Sequence, residues 1–307
     1  MDYILQTEGI SKIYGKQKAL DNVNIHVKQG DIYGLIGRNG AGKTTLLKIV
    51  TGLAKQTYGD FTVFGRSSNE MREYHSRIGS LIESPGLYPQ MTAEENLKIK
   101  CMIMGEKDKN VPQELLKTVG LADVGRKKAG KFSLGMKQRL GMALALVGHP
   151  DIVILDEPIN GLDPQGIIEI RNMIHTLNKE RGITFIISSH ILAELSRVAT
   201  VYGIINKGVI VEELSAESLY AKCSERLELM TDNPRLACTV IEQLGITNFK
   251  VLDSGMINIF DHTDRSGDIT LALASKDIRT LHISVENESL EDYYIGLVGE
   301  DGGKTNA

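Results

Sequence analysis

Four short apolar runs punctuate the first two-thirds of the chain: Ile32 to Ile36, Ile152 to Leu155, Ile183 to Ile187 and Val201 to Ile205. Runs of this length, bounded by Gly, Asp or Pro, suit strands buried on both faces, as in a largely parallel sheet. Between them the pattern turns helical. Thr92-Ala93-Glu94-Glu95 is a capping box, in which the threonine and the second glutamate satisfy each other's backbone donors, and it opens a helix carrying Leu97 and Ile99. Asp163-Pro164 is an N-cap followed by proline in the first turn. Beyond it Ile167, Ile170, Ile174 and Leu177 form a stripe that reads as core-facing.

Near residue 214 the pattern changes. Strands are predicted at 225–231, 248–252, 255–260 and 281–285, with helices at 234–244, 264–275 and 290–298. Asn233-Pro234 starts one of these helices, and Ser289 with Asp292 resembles a cap for the last. The expected organisation is an α/β domain over 1–214, a small α+β domain over 215–300 and a disordered tail over 301–307. There is no internal repeat.

A length of 307 residues fits two domains, and 42% apolar content supports a real core. The net charge of −4 gives no sign of a nucleic-acid partner or of an anionic membrane surface. Cys101, Cys223 and Cys238 fit neither a disulfide framework nor a metal spacing, and suit a reducing cytosol. The N-terminus lacks the basic-then-apolar order of a secretory signal. No apolar run reaches the ~18 residues of a membrane span, so a membrane role would act through a partner.

The sharpest chemistry lies after the first apolar run. Gly37-Arg38-Asn39-Gly40-Ala41-Gly42-Lys43-Thr44 matches G-x-x-x-x-G-K-[ST] in full, and Thr45 to Val50 continues as a helix. Glycines let the backbone curl so that successive N–H groups face phosphate oxygens, and the helix N-terminus adds its dipole. Lys43 supplies a positive charge for the β- and γ-phosphates, and the Thr44 hydroxyl is a hard ligand for Mg²⁺. The run 152–155 ends in Asp156-Glu157. Asp156 is placed to hold Mg²⁺ through its water shell. Glu157, expected on the other side of the strand tip, is placed to polarise an attacking water. The reaction class is phosphoryl transfer to water.

Further motifs follow in order. Phe132-Ser133-Leu134-Gly135-Met136 opens a helical stretch running from Lys137 to Val147, and Ser133 with Gly135 makes a second anion-seeking helix start. Asn160-Gly161-Leu162-Asp163 follows Glu157, and Ser188-Ser189-His190 follows the run 183–187, at the sheet edge where α/β sites form. Taken singly, Tyr14 is equally a surface aromatic, and His190 equally a capping or core histidine. In order and together, over residues 1 to about 215, these motifs resemble the ATPase family of ABC transporters. That resemblance implies a phosphate-loop core with an antiparallel and a helical subdomain. It has Gly37, Asn39, Gly40, Ala41, Gly42, Lys43, Thr44 and Thr45 around ATP, and Tyr14 stacked on adenine. Ser133 and Gly135 would contact the γ-phosphate across a dimer of two copies or two homologous subunits. Asp163 would lie in the interface loop, and His190 would touch the γ-phosphate.

Two departures stand out. The family usually reads Leu-Ser-Gly-Gly-Gln where this chain has Phe132-Ser133-Leu134-Gly135-Met136, so an amide side chain is lost. The loop after the strand at 78–82 normally begins with Gln, and here it carries Glu83. A carboxylate only accepts hydrogen bonds. It would bind Mg²⁺ more tightly and would repel Glu157 and the γ-phosphate. This loop and Ser133 to Gly141 look like the bacitracin-export and lantibiotic-immunity branch. That branch implies an integral membrane permease partner, with the ATPase peripheral on the cytoplasmic face of the membrane. Loop 83–97 is the expected contact, because its Pro85, Leu87, Tyr88 and Pro89 offer an apolar, stiff surface, though the same residues equally suit local turn packing. A sensing subunit would carry the same motor. An ABC ATPase of ribosomes or DNA usually has paired cores or a long coiled coil, which this chain lacks. For a small-molecule kinase, no acceptor pocket is visible.

Overall fold

The computed structural model describes residues 3–223, 225–286 and 290–299. The predicted cap at Ser289 and the tail over 301–307 lie outside them. Contacts divide the chain after Ala216 into two compact units.

The first unit opens with β1 (Leu5–Tyr14), β2 (Gln17–Val23) and β3 (His26–Val27). Then β4 (Ile32–Ile36), buried at every position, leads into α1 (Lys43–Val50). The strand β5 (Tyr58–Val63) returns antiparallel to β1 and β6 (Arg66–Ser67) antiparallel to β5, giving a five-stranded sheet in the order β2-β1-β5-β6 with β3 also on β1. A short α2 (Met71–Tyr74) precedes β7 (Ile78–Leu81).

A helical stretch follows: α3 (Ala93–Met104), α4 (Val111–Thr118) and α5 (Leu134–Ala145). Both halves of the capping box at α3 are formed, with Thr92 accepting from Glu95 N and Glu95 accepting from Thr92 N. Then come β8 (Ile152–Asp156), α6 (Pro164–Arg181), β9 (Thr184–Ser189), α7 (Leu192–Leu195), β10 (Val201–Asn206) and β11 (Val209–Ser215). The second sheet has six strands in the order β11-β10-β4-β9-β8-β7, parallel except for the β10–β11 hairpin. The four apolar runs are thus neighbouring strands at its centre. Of the predicted stripe on α6, Ile170, Ile174 and Leu177 are buried. Leu46, Leu47, Ile49 and Val50 of α1 join residues of both sheets in one core.

The second unit holds α8 (Ala216–Lys222), β12 (Arg226–Thr231), α9 (Pro234–Gln243), β13 (Phe249–Val251), β14 (Ile257–Ile259), α10 (Ser266–Ala274), β15 (Thr280–Glu286) and α11 (Leu290–Gly299). From β12 to β15 this is a β-α-β-β-α-β arrangement, with an antiparallel sheet ordered β13-β14-β12-β15. Leu227, Leu229, Ile257 and Ile259 of the sheet pack with Val240 and Ile241 of α9 and with Ile269 and Leu273 of α10, a core of their own. Helix α8 has no counterpart in the sequence prediction. It spans Ala216–Lys222, two turns with a single buried residue, Leu219, too short for a periodic signal.

Candidate active site

Parallel pairing sets the site. In register, Ile36 at the end of β4 lies beside Ser189 of β9, and Ser188 lies beside Asp156 of β8. Three strand ends therefore share the carboxyl edge of the sheet, where open α/β sheets bind ligands.

From Ile36 the chain curls through Gly37 to Gly42. Gly42 sits at φ 112 and is the N-cap of α1, with no side chain bonded to the helix's first N–H groups. Those donors are left for an anion. Gly37 is fixed by space instead: a Cβ there would lie 2.5 Å from the Ile205 carbonyl oxygen. Gly37 N donates to Ser189 O at 3.3 Å, and Gly208 N donates to Ala41 O at 2.8 Å, tying the loop to β9 and to the β10–β11 turn.

The side chains converge. Lys43 is buried, and its Nζ donates to Gly37 O at 2.7 Å and lies 3.1 Å from Glu157 Oε1. Thr44 Oγ1 donates to Asp156 Oδ2 at 2.8 Å, and Ser188 Oγ donates to Asp156 Oδ1 at 2.6 Å. The Ser188 hydroxyl also accepts from Glu157 N at 2.9 Å. His190 Nδ1 lies 2.8 Å from Glu157 Oε2. Burial pushes the nearby Glu194 carboxyl above its usual range, against a hydrogen bond from Ser189 and the charge of His190.

One expectation needs correcting. Asp156 and Glu157 do not point to opposite sides of the strand tip. Strand β8 ends at Asp156, and Glu157 takes a left-handed φ of 49, so strand alternation no longer applies. Both carboxylates reach the phosphate-loop helix, one at Thr44 and the other at Lys43.

A cleft of about 540 Å³ opens over the loop, lined by Tyr14, Arg38, Asn39, Gly40, Ala41, Gly42, Lys43, Thr44, Thr45 and Glu157. Tyr14 is half-exposed there, with Lys12 Nζ 4.8 Å from its ring centre. Gln17, Lys18, Ala19 and Lys207 complete the lining. No motif marks them. Their place follows from the β1–β2 turn and the β10–β11 turn arriving at the same edge.

Ser133, Gly135 and Asp163 are not at this cleft. They line another, of about 530 Å³, together with Leu134, Gly161 and Leu162. Ser133 caps α5 by accepting from Met136 N at 3.3 Å, and Asp163 caps α6 by accepting from Gly166 N at 3.2 Å. The two segments touch: a Cβ on Gly161 would lie 3.0 Å from Leu134 Cδ2. Glu83 lines neither cleft. It takes a left-handed φ of 62 and pairs with Lys48 of α1 at 2.6 Å. The conflict with Glu157 read from the sequence thus meets a cation that the sequence did not reveal.

Comparison with known proteins gives the family. Residues 20–160 match the family model described as ABC transporter. The bacitracin transport ATP-binding protein of Bacillus licheniformis is 44% identical over 97% of this chain and 98% of its own length. The protein of that name from Enterococcus faecalis is 40% identical over 98% of both. The lantibiotic transport ATP-binding protein of Streptococcus pyogenes is 42% identical over 75% of this chain and 96% of its own. Among solved structures, a dimeric ATP-binding cassette in a post-hydrolysis state with ADP and Pi superposes with a TM-score of 0.64 at 25% identity. It covers 69% of this chain and 98% of the cassette.

Proposed function

The chain belongs to the ABC transporter ATP-binding family, and from that premise we propose that it powers an exporter protecting a cell from a peptide antibiotic of the bacitracin or lantibiotic kind. ATP binding and hydrolysis come with the family. The antibiotic class rests on relatives alike along nearly the whole chain, C-terminal unit included. No helix among the described residues is long and apolar enough to cross a membrane. In this reading a permease subunit supplies the path, and the ATPase sits against it on the cytoplasmic face.

The observation that carries the mechanism is the contact of Lys43 with Glu157, itself bonded to His190. The triphosphate enters with its β- and γ-oxygens toward the loop N–H groups. Lys43 exchanges Glu157 for phosphate, which leaves Glu157 free to take a proton from the attacking water. Water oxygen bonds to the γ-phosphorus, the bond to the β-phosphate oxygen breaks, and ADP and phosphate result. His190 holds the Glu157 carboxylate through Nδ1, which directs Nε2 to the γ-phosphate. Tyr14 stacks on adenine.

Among the described residues, His, Cys, Asp and Glu form no cluster of three that would hold a metal by themselves. The Thr44 hydroxyl and Asp156 carboxylate do converge, both hard oxygens of the kind Mg²⁺ takes alongside phosphate. They would hold it, and it would neutralise phosphate charge. Ser133, Gly135 and Asp163 serve the nucleotide of a second copy or homologue. Glu83, paired here with Lys48, would be a further carboxylate able to hold the metal once released from that pair.

Glu157→Gln tests the core of this reading. ATP affinity by calorimetry should stay within about threefold, while kcat falls about 10²–10⁴-fold. Unchanged turnover would remove Glu157 as the base. In a susceptible strain carrying the permease, the wild-type chain should raise bacitracin resistance and Glu157→Gln should not. Equal susceptibility with and without the active chain would sink the antibiotic assignment while leaving the ATPase intact.

A further inference from the structure

The sheet of the C-terminal unit ends on an open strand. β15 stands last in the order β13-β14-β12-β15, so among the described residues no strand pairs with its outer edge. Proteins usually guard such edges with Lys, Pro or a very short strand. From His282 to Glu286, β15 runs in unbroken register against Arg226–Met230 and contains neither Lys nor Pro. The one irregularity falls between Met230 and Thr231, which leaves Leu281 bulged at the strand's start. Two apolar side chains are open along this edge, Leu281 at 61% and Val285 at 50% exposure.

The regular segment is complementary to itself. A two-fold axis through Ser284 sets His282 opposite Glu286 of the second copy and Ile283 opposite its Val285, with Ser284 facing its own equivalent. On one face the imidazole meets a carboxylate twice. On the other, Ile283, which packs against the unit's core, extends that core to the second copy's Val285. Directly opposed residues of this kind stabilise antiparallel pairs, whereas like charges there destabilise them. An axis one residue earlier, through Ile283, would set Glu286 against Thr280 and draw the bulged Leu281 into the ladder, so Ser284 is the better centre.

We propose that β15 is a homodimerisation edge, pairing antiparallel about Ser284 so that two four-stranded sheets become one continuous sheet. The contact uses no residue of the nucleotide site. It forms without ATP, and it stands whether or not the antibiotic assignment does.

The test uses the full-length chain without nucleotide, in sedimentation equilibrium. Wild type dimerises, and so does Lys43→Ala, since the phosphate loop is not involved. Val285→Lys places a cation in the apolar row and raises the dissociation constant about 100-fold with an unchanged far-UV spectrum. Because Ser284 pairs with its own equivalent, Cα atoms there lie about 4.5–5.5 Å apart, within disulfide range. Ser284→Cys therefore oxidises to a covalent dimer, and His282→Cys, two residues off the axis, does not. A wild-type chain that stays monomeric to about 100 µM overturns the proposal. So does a Val285→Lys chain that associates like wild type, or a Ser284→Cys chain that cross-links no better than His282→Cys. Either a different partner strand or the chain's own remaining residues would then cover the edge.

Discussion

At the scale of single residues, Lys48 and Glu83 carry the sharpest question. Their ion pair is substantially exposed, with Glu83 63% accessible, so its contribution to stability is at most about 1 kcal/mol. The hydrogen bond to Glu83 raises the Lys48 ammonium above its ordinary value, against a smaller opposing effect of burial. A pair so weakly stabilising can part when nucleotide binds. Lys48→Met should therefore leave Tm within a few degrees while changing permease-stimulated ATPase, and it should have no further effect in a Glu83→Gln background. Additive effects on stimulated ATPase in the double variant would separate the two residues. Glu194 gives a pH test. Burial raises its folded-state pKa, so its cost is absent below the unfolded value and grows as pH rises through the folded one. Glu194→Gln should raise Tm at pH 8, with the gain shrinking toward pH 4, and a gain independent of pH would mean that ionisation is not its cause. Lys43, Thr44, Asp156, Glu157 and His190 were legible because a motif fixes its own local path. Ser188, Lys48 and Lys207 were not, since their contacts exist only after β4, β9, β8 and β10 are placed side by side.

Among the elements, the apolar runs were readable because a strand covered on both faces needs little beyond continuous hydrophobicity. The helix predicted from Lys137 starts earlier, at Leu134, since Ser133 supplies the cap. What pattern could not show is how closely α5 lies on the sheet. A Cβ on Gly141 would sit 2.7 Å from Pro85 Cβ and 3.0 Å from Leu81 Cδ1. That glycine lets the helix capped by Ser133 rest directly on the loop carrying Glu83, bringing two segments distant in sequence into contact. Gly141→Ala should cost about 1–3 kcal/mol by overpacking. It should also blunt permease stimulation of ATPase more than basal turnover. A basal rate that falls just as far would place the damage in the nucleotide site instead.

For the whole molecule, two separate cores predict two unfolding transitions. The first unit buries residues of both its sheets around α1, and the second buries one sheet face under α9 and α10. Every residue lining the nucleotide cleft belongs to the first unit. A ligand stabilises only what binds it, by RT ln(1 + [L]/Kd), or about 2.7 kcal/mol at a hundredfold excess over Kd. For a unit of some 200 residues that shifts the midpoint by roughly 5–10 °C. Calorimetry of Glu157→Gln, whose turnover is expected to be slow, should show two transitions, with ATP and Mg²⁺ raising only the larger. The smaller should instead follow protein concentration, because its stability would be linked to pairing along β15. If ATP moved both transitions together, the C-terminal unit would be reading the nucleotide state of the motor. A concentration-independent second transition would count against its dimerisation.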